Sequence, residues 1–267
     1  MTKLYRHYNL NAKQIRVLEL TYKFRFITSS LLAQYKGLKS RHSAYRRLEN
    51  LYSQGYLGKR QERNDHFQNK GSRYCLTPKA LIYLRDNRRL SEPALHSMYK
   101  NKSIGSAFID HAIDILRAYL SLRSSYPDVF YIFTAAELSS YDYFPSPKPD
   151  LYLNRVKYQK GTNEFMFYLE HDNPSFVTKK RFDKLLEHFD SGEWEAELGT
   201  PYPTILFVLG DSGSERRIQH YITDKLSDAG IDDLACYTTT VKALLNSQNT
   251  NAQILSSVNQ PEKLISL

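Results

Sequence analysis

The stretch PDLYLNRVKYQKGTNEFMFYLEHDNPSFVTKKRFDKLLEHF, residues 149–189, constrains the fold of this chain more than any other. Its pattern predicts strands over 150–156 and 165–172, joined by a polar turn about Lys160 and Gly161, and then a helix from about Thr178. In the second strand Phe165, Phe167 and Leu169 alternate with Met166, Tyr168, Glu170 and Asp172. Side chains alternate across a strand, so both acids share one face. A turn at 160–161 sets Asp150 opposite Glu170, and directly opposed β-carbons lie about 4.5–5.5 Å apart. Three carboxylates then gather at the open end of one hairpin, where they repel unless protonated or bridged by a cation. Hard oxygen donors of this kind suit Mg2+ or Mn2+. The same acids also fit a blander pattern, a strand start at Asp150 and a solvated face at Glu170 and Asp172.

The charge is unevenly placed. Residues 1–105 hold 22 Lys and Arg against 6 Asp and Glu, whereas residues 106–267 hold 15 against 22, a formal +16 followed by −7. A basic N-terminal part suits a polyanionic partner, double-stranded DNA above all, although such charge also serves solubility. Cys75 and Cys236 stand far apart without metal-ligand spacing, which argues for a reducing, cytoplasmic compartment and against a disulfide or a zinc site. The N-terminus lacks an apolar signal region and the longest apolar run is TILFVL, so no membrane span is expected.

Helical patterning begins at Asn11, an N-cap candidate before the stripe of Ile15, Leu18 and Tyr22. TSSLLAQYKG predicts a short second helix from Thr28 to Gly37. In the third, SRHSAYRRLENLYSQGYL, Ala44, Leu48 and Leu51 form the buried stripe, flanked by Tyr45 and Tyr52. His42, Ser43, Arg46, Arg47 and Asn50 then face outward, and these residue types bond phosphates and base edges well. LGKRQER, NDHFQNKG and SRYCLTP follow as strand, wing and strand, giving the winged-helix order. Such a module sets its third helix in the major groove and its wing on the neighbouring backbone. Lys59, Arg60, Arg63, Lys70 and Arg73 are the expected phosphate contacts. A winged helix can also dock proteins. A helix from Pro78 to about Asn87 closes this domain, residues 1–92, and residues 93–105 read as a basic linker.

The second domain is expected over residues 106–247. SAFIDHAIDILRAYLSLRSSYP predicts a helix with Phe108, Ala112, Ile115, Leu116 and Tyr119 on its packing face, and His111 beside that stripe as a core or boundary histidine. VFYIFT, the hairpin, a helix with Phe182, Leu185, Leu186 and Phe189 inward, the strand TPYPTILFVLGD and a helix ended by Gly230 complete the order αβββαβ. The polar residues 248–267 read as a flexible tail.

Pro149-Asp150 followed by an apolar strand ending Glu170-x-Asp172 resembles the PD-(D/E)xK nuclease core, with Asp172 where that pattern has a lysine. The N-terminal winged helix, HAIDILRAYL, Pro149-Asp150, LEHD at 169–172, Lys184-Leu185, SGEW at 191–194 and PTILFVL together resemble the replication-relaxation family, related to the MOBC class of conjugative relaxases. The fold so implied is α/β (α+β), a winged helix-turn-helix followed by a PD-(D/E)xK-like αβββαβ domain. The resemblance implies a plasmid or conjugative-element protein that binds an origin of transfer or replication alongside other mobilisation or replication proteins. Within the MOBC class it implies metal-dependent nicking. Asp150 and Glu170 would hold Mg2+ or Mn2+, with Asp172 completing the shell or orienting a water. The family pattern selects Lys184 as the stabilising cation, whereas a helical wheel turns Lys184 away from the stripe and favours Lys179. The alternative is a non-catalytic origin-binding accessory or replication factor with a degenerate nuclease domain.

Overall fold

The computed structural model describes residues 10–61, 71–87, 92–101, 103–157, 163–171, 173, 175–247 and 249–267. The chain is a mixed α/β protein that divides into two compact units, Met1–Ile113 and Asp114–Leu267. No helix among the described residues is long and apolar enough to cross a membrane.

In the first unit, α1 (Ala12–Phe24) starts at Asn11, whose side chain accepts from the Gln14 amide while Gln14 accepts from the Asn11 amide. This reciprocal cap satisfies two N–H groups that the helix cannot bond internally. A strand absent from the sequence expectations follows, β1 (Phe26–Thr28). Three residues are too few for alternation to show. Thr28 then caps α2 (Ser29–Tyr35), accepting from Leu31 N, and α3 (Arg41–Ser53) follows. β2 (Leu57–Arg60), β3 (Arg73–Leu76) and α4 (Pro78–Asn87) complete this part. The strands form an antiparallel sheet of order β1-β3-β2. Most of the expected wing, residues 62–70, lies outside the described residues.

The segment expected as a linker contains α5 (Glu92–Met98), with Ala94, Leu95 and Met98 buried. Three arginines bind its neighbourhood. Arg25, at a left-handed φ of 63°, donates to Ser97 O at 3.1 Å and Asn101 Oδ1 at 2.9 Å. Arg60 donates to Asn101 O at 3.3 Å and Ile104 O at 3.2 Å, and Arg73 meets Asp110 at 2.7 Å. Residues 92–110 are thus bonded into the first unit rather than strung out from it.

The divide between units falls within α6 (Ser106–Ser125). Its buried residues include Ile109, Ala112, Ile113, Leu116, Tyr119 and Leu120. The expected stripe is therefore turned by about one position. Phe108 is 40% exposed beneath the Arg25 guanidinium, Ile115 is half-buried, and so is His111.

The second unit continues with β4 (Phe130–Thr134), α7 (Ala135–Leu138), β5 (Leu151–Arg155) and β6 (Glu164–Glu170). After these come α8 (Ser175–Asp190), α9 (Glu193–Leu198), β7 (Thr204–Leu209) and α10 (Ser212–Ala229). β8 (Cys236–Thr240), α11 (Val241–Asn246), β9 (Gln253–Ser257) and β10 (Gln260–Ser266) end the unit. The sheet runs β10-β9-β8-β7-β6-β5-β4, parallel from β6 through β8 and antiparallel elsewhere. The segments between the parallel strands are helical, as parallel crossovers require.

One sheet face carries Tyr152, Met166, Tyr168, Ile205, Phe207 and Leu209 against Phe182, Leu185 and Trp194 and against Ile218, Ile222 and Leu226. Trp194, from the SGEW motif, is 1% exposed among Tyr143, Phe144, Tyr152 and Tyr202, and so serves this core. The opposite face presents Leu151, Leu153, Phe165, Phe167, Leu206 and Val208, all buried. α11 packs on β7 and β8, and α6 bonds α11 and its end through Ser121 to Leu244 O and Ser125 to Ser247 O.

The flexible tail expected from residue 248 is instead the β9–β10 hairpin, which extends the sheet beyond β8 and buries Leu255, Val258 and Leu267. Burying one such side chain contributes about 1.5–3 kcal/mol. Deleting residues 248–267 should therefore cost several kcal/mol in urea denaturation. An unchanged midpoint would restore the flexible-tail reading.

Candidate functional site

Two groups of candidate residues are built, one in each unit. In the first, Ala44, Leu48 and Leu51 seal the back of α3, each with no exposed surface. Helical spacing then sends His42, Ser43, Arg46 and Asn50 to solvent, with Arg47 half-buried. Among the described residues, no carboxylate pairs with Arg46 or Arg47.

α3 is held at this angle by a charged junction. Glu49 from α3 takes Lys59 Nζ of β2 at 2.9 Å and the Tyr74 hydroxyl of β3 at 2.5 Å. Lys59 also lies 5.7–5.8 Å from the rings of Tyr45, Tyr52 and Tyr74. Burial acts to raise the Glu49 carboxyl pKa, but the bonds from Lys59 and Tyr74 outweigh it and the net shift is downward. The bond to Glu49 raises Lys59, and burial followed by that same carboxylate raises Tyr74.

Lys59, expected as a phosphate contact, is engaged by this junction within the unit. Arg60 is likewise committed to backbone carbonyls, and Arg73 is 4% exposed and paired with Asp110. All three side chains thus have partners within the unit. Arg63 and Lys70 lie outside the described residues.

In the second unit, Leu151 pairs with Phe167 and Asn154 with Glu164. Asp150 therefore stands opposite Tyr168, two positions from the expected register. A two-residue slip preserves the face, because side chains alternate with period two. Asp150 donates its N–H to Phe167 O at 3.0 Å, and its Oδ2 accepts from Leu169 N at 2.8 Å. Glu170 ends β6 with its side chain wholly out of solvent. Beyond it the ends of β6 and β7 converge so closely that a Cβ on Gly210 would lie 2.7 Å from His171 O. Glycine is required there.

The group that joins the acids is Arg181. Its Nη1 stands 2.8 Å from Glu170 Oε1 and 3.9 Å from Asp150 Oδ2, and its Cζ lies 5.3 Å from the centre of the Tyr168 ring. Glu170 Oε2 accepts from Asn173 Nδ2 at 2.6 Å and from Thr178 Oγ1 at 3.4 Å. Burial pushes the Tyr168 phenol well above its usual range. Lys184 is exposed, and Lys179 lies over the Tyr221 ring at 4.7 Å. Neither lysine is the cation beside the acids. The sequence signal for Arg181 is its place one turn after Thr178, near the stripe of Phe182 and Leu185; a search for lysine passes over it.

Asp172 lies outside the described residues. Among the described residues, no set of three His, Cys, Asp or Glu side chains could hold a metal. The arrangement at Asp150 and Glu170 does not fit Mg2+ or Mn2+, because a guanidinium already stands between the pair, at 2.8 Å from Glu170 Oε1, and protein donors occupy Glu170 Oε2 and Asp150 Oδ2.

The family model for replication-relaxation proteins matches residues 18–187, more than half of the chain. The chain belongs to the replication-relaxation family. Membership suggests a role in plasmid replication or mobilisation. The family match runs from α1 through α8, so it takes in the α3 face, Asp150, Glu170 and Arg181. No curated protein and no solved structure matches the chain.

Breaking a buried ion pair from one side leaves an uncompensated charge and costs about 3–5 kcal/mol. Arg181→Ala should lose stability of that order in urea denaturation, and Glu170→Gln in the same chain should recover part of it. Lys184→Ala, on the exposed side of α8, should stay within about 0.5 kcal/mol of the parent. The reverse order would return the cation role to Lys184.

Proposed function

We propose that the protein binds duplex DNA at an origin of replication or transfer of a plasmid or conjugative element. In this reading the first unit is a winged helix that lays α3 in the major groove. The observation that carries it is the outward face of α3, where His42, Ser43, Arg46, Arg47 and Asn50 lie on a helix whose back is sealed, with both guanidinium groups unpaired among the described residues. Guanidinium and amide side chains at such positions read guanine and adenine edges bidentately. Because the three arginines around residues 92–110 are committed internally, sequence reading falls to α3 and non-specific phosphate contact to other basic groups.

For the second unit we propose a PD-(D/E)xK-like core that serves DNA binding or assembly without hydrolysis, making the protein an accessory or replication factor. The order α6, β4, β5, β6, α8, β7, α10 supports the core, and the guanidinium on Glu170 supports the loss of hydrolysis. Nicking, as in the MOBC class, is the second reading. It is favoured by one observation, the convergence of Asp150 and Glu170 on a single guanidinium.

Fluorescence anisotropy of the full chain on labelled origin duplex should show an affinity that falls steeply with salt. Arg46→Ala should weaken specific binding by about 1–3 kcal/mol and random-duplex binding by less. Equal losses on both duplexes would reduce Arg46 to a phosphate contact, and absence of binding at low salt would sink the DNA-binding reading. Wild type should leave supercoiled origin DNA uncut with Mg2+ or Mn2+, alone and with mobilisation proteins. Origin-dependent nicking that Glu170→Gln removes would install the second reading.

A further inference from the structure

We infer that Arg181 stands where a divalent cation would stand between Asp150 and Glu170, so that the folded protein does not take Mg2+ or Mn2+ at this pair and acquires the capacity only when the guanidinium is removed. One nitrogen, Nη1, reaches Glu170 Oε1 at 2.8 Å and Asp150 Oδ2 at 3.9 Å, which makes it the bridge between the two carboxylates. Two of the four carboxylate oxygens are engaged elsewhere as well. Asp150 Oδ2 takes the Leu169 N–H, and Glu170 Oε2 takes Asn173 Nδ2 and Thr178 Oγ1. Mg2+ demands ligands at about 2.0–2.1 Å in near-octahedral order. It would have to displace these donors while adding two charges beside a fixed third.

The guanidinium is not poised to swing away. The Arg181 side chain is 16% exposed, rises from α8 next to the buried Phe182, and holds its Cζ 5.3 Å from the Tyr168 ring. Glu170 has no exposed surface, so its charge has no solvent to turn to if Arg181 leaves. In a medium of low dielectric like charges repel strongly and opposite charges attract strongly. With the arginine present a dication is repelled. With it gone, a pair of close carboxylates demands one.

This inference deepens the non-hydrolytic reading of the second unit and is tested by cation binding rather than nicking, with DNA binding measured in parallel without added metal. Isothermal titration of full-length wild type with Mn2+ should show no saturable site through the millimolar range, and its Tm should not move. Arg181→Gln should gain a saturable site and a Tm that rises with Mn2+, since a ligand of the native state stabilises it. Adding Glu170→Gln to that variant should abolish both responses. If Arg181→Gln does not fold alone, it should fold on addition of Mn2+, while the double variant, with one buried carboxylate fewer at this position, folds without it. Saturable Mn2+ binding by wild type that Glu170→Gln removes would overturn the inference. So would an Arg181→Gln chain that gains nothing, or one that stays unfolded in Mn2+ while the double variant folds. A negative nicking assay with Mn2+ bound by wild type would separate failure of this inference from failure of the accessory reading.

Discussion

A carboxylate with no exposed surface at the end of a central strand sets the terms for the second unit. An ionised carboxylate cannot be taken from water without a partner except at heavy cost, so Glu170 dictates what must surround it. The loop after β6 supplies Asn173, α8 turns Thr178 and Arg181 inward, and the start of β5 brings Asp150 within reach of the same guanidinium. The apolar stripe of α8, with Phe182 and Leu185, then falls on the sheet beside Tyr168 and Met166. Packing and charge neutralisation select the same rotation of one helix. That agreement is what makes a buried ionic group tolerable in an otherwise apolar layer.

The first unit divides its positive charge differently. Arg25, Arg60 and Arg73 are used to hold residues 97–110, and Lys59 is used to hold α3 through Glu49. Among the described residues, the arginines on the outer face of α3 remain open to a partner. A high count of basic residues therefore overstates the surface available to a polyanion, since a fork of five donors suits the backbone carbonyls of a docked segment as well as it suits phosphate.

What could be read from the sequence follows from how far each signal reaches. The faces of β5 and β6 were legible because alternation is local, and the buried stripe of α3 was legible because helical spacing is local. The register of the hairpin was not, since a slip of two residues leaves both faces unchanged and alternation cannot detect it. The partner of Arg73 lies 37 residues away and nothing near Arg73 announces it. Arg181 was hidden by an expectation about residue type, although its place beside Thr178 was visible. β10 escaped because an edge strand whose side chains are mostly exposed has the composition of a loop. The α6 stripe was displaced because the buried residues Ile109, Ala112, Ile113, Leu116, Ala118, Tyr119 and Leu120 take up more than half of its circumference, and so wide a pattern fixes the angle poorly.

Along the second sheet the strands lie in the order in which the chain is made, from β4 at one edge to β10 at the other. Each strand finds its neighbour already in place, with no gap to be entered between earlier strands. Such a sheet can grow from one side as the polypeptide emerges from the ribosome, every new strand docking on the edge left by the one before. At each stage a single unpaired edge moves outward, through the wholly buried β7, to the β9–β10 hairpin that ends it. A nascent chain halted after β7 would present that apolar strand as an open edge, the kind of surface that chaperones shield and that aggregation exploits.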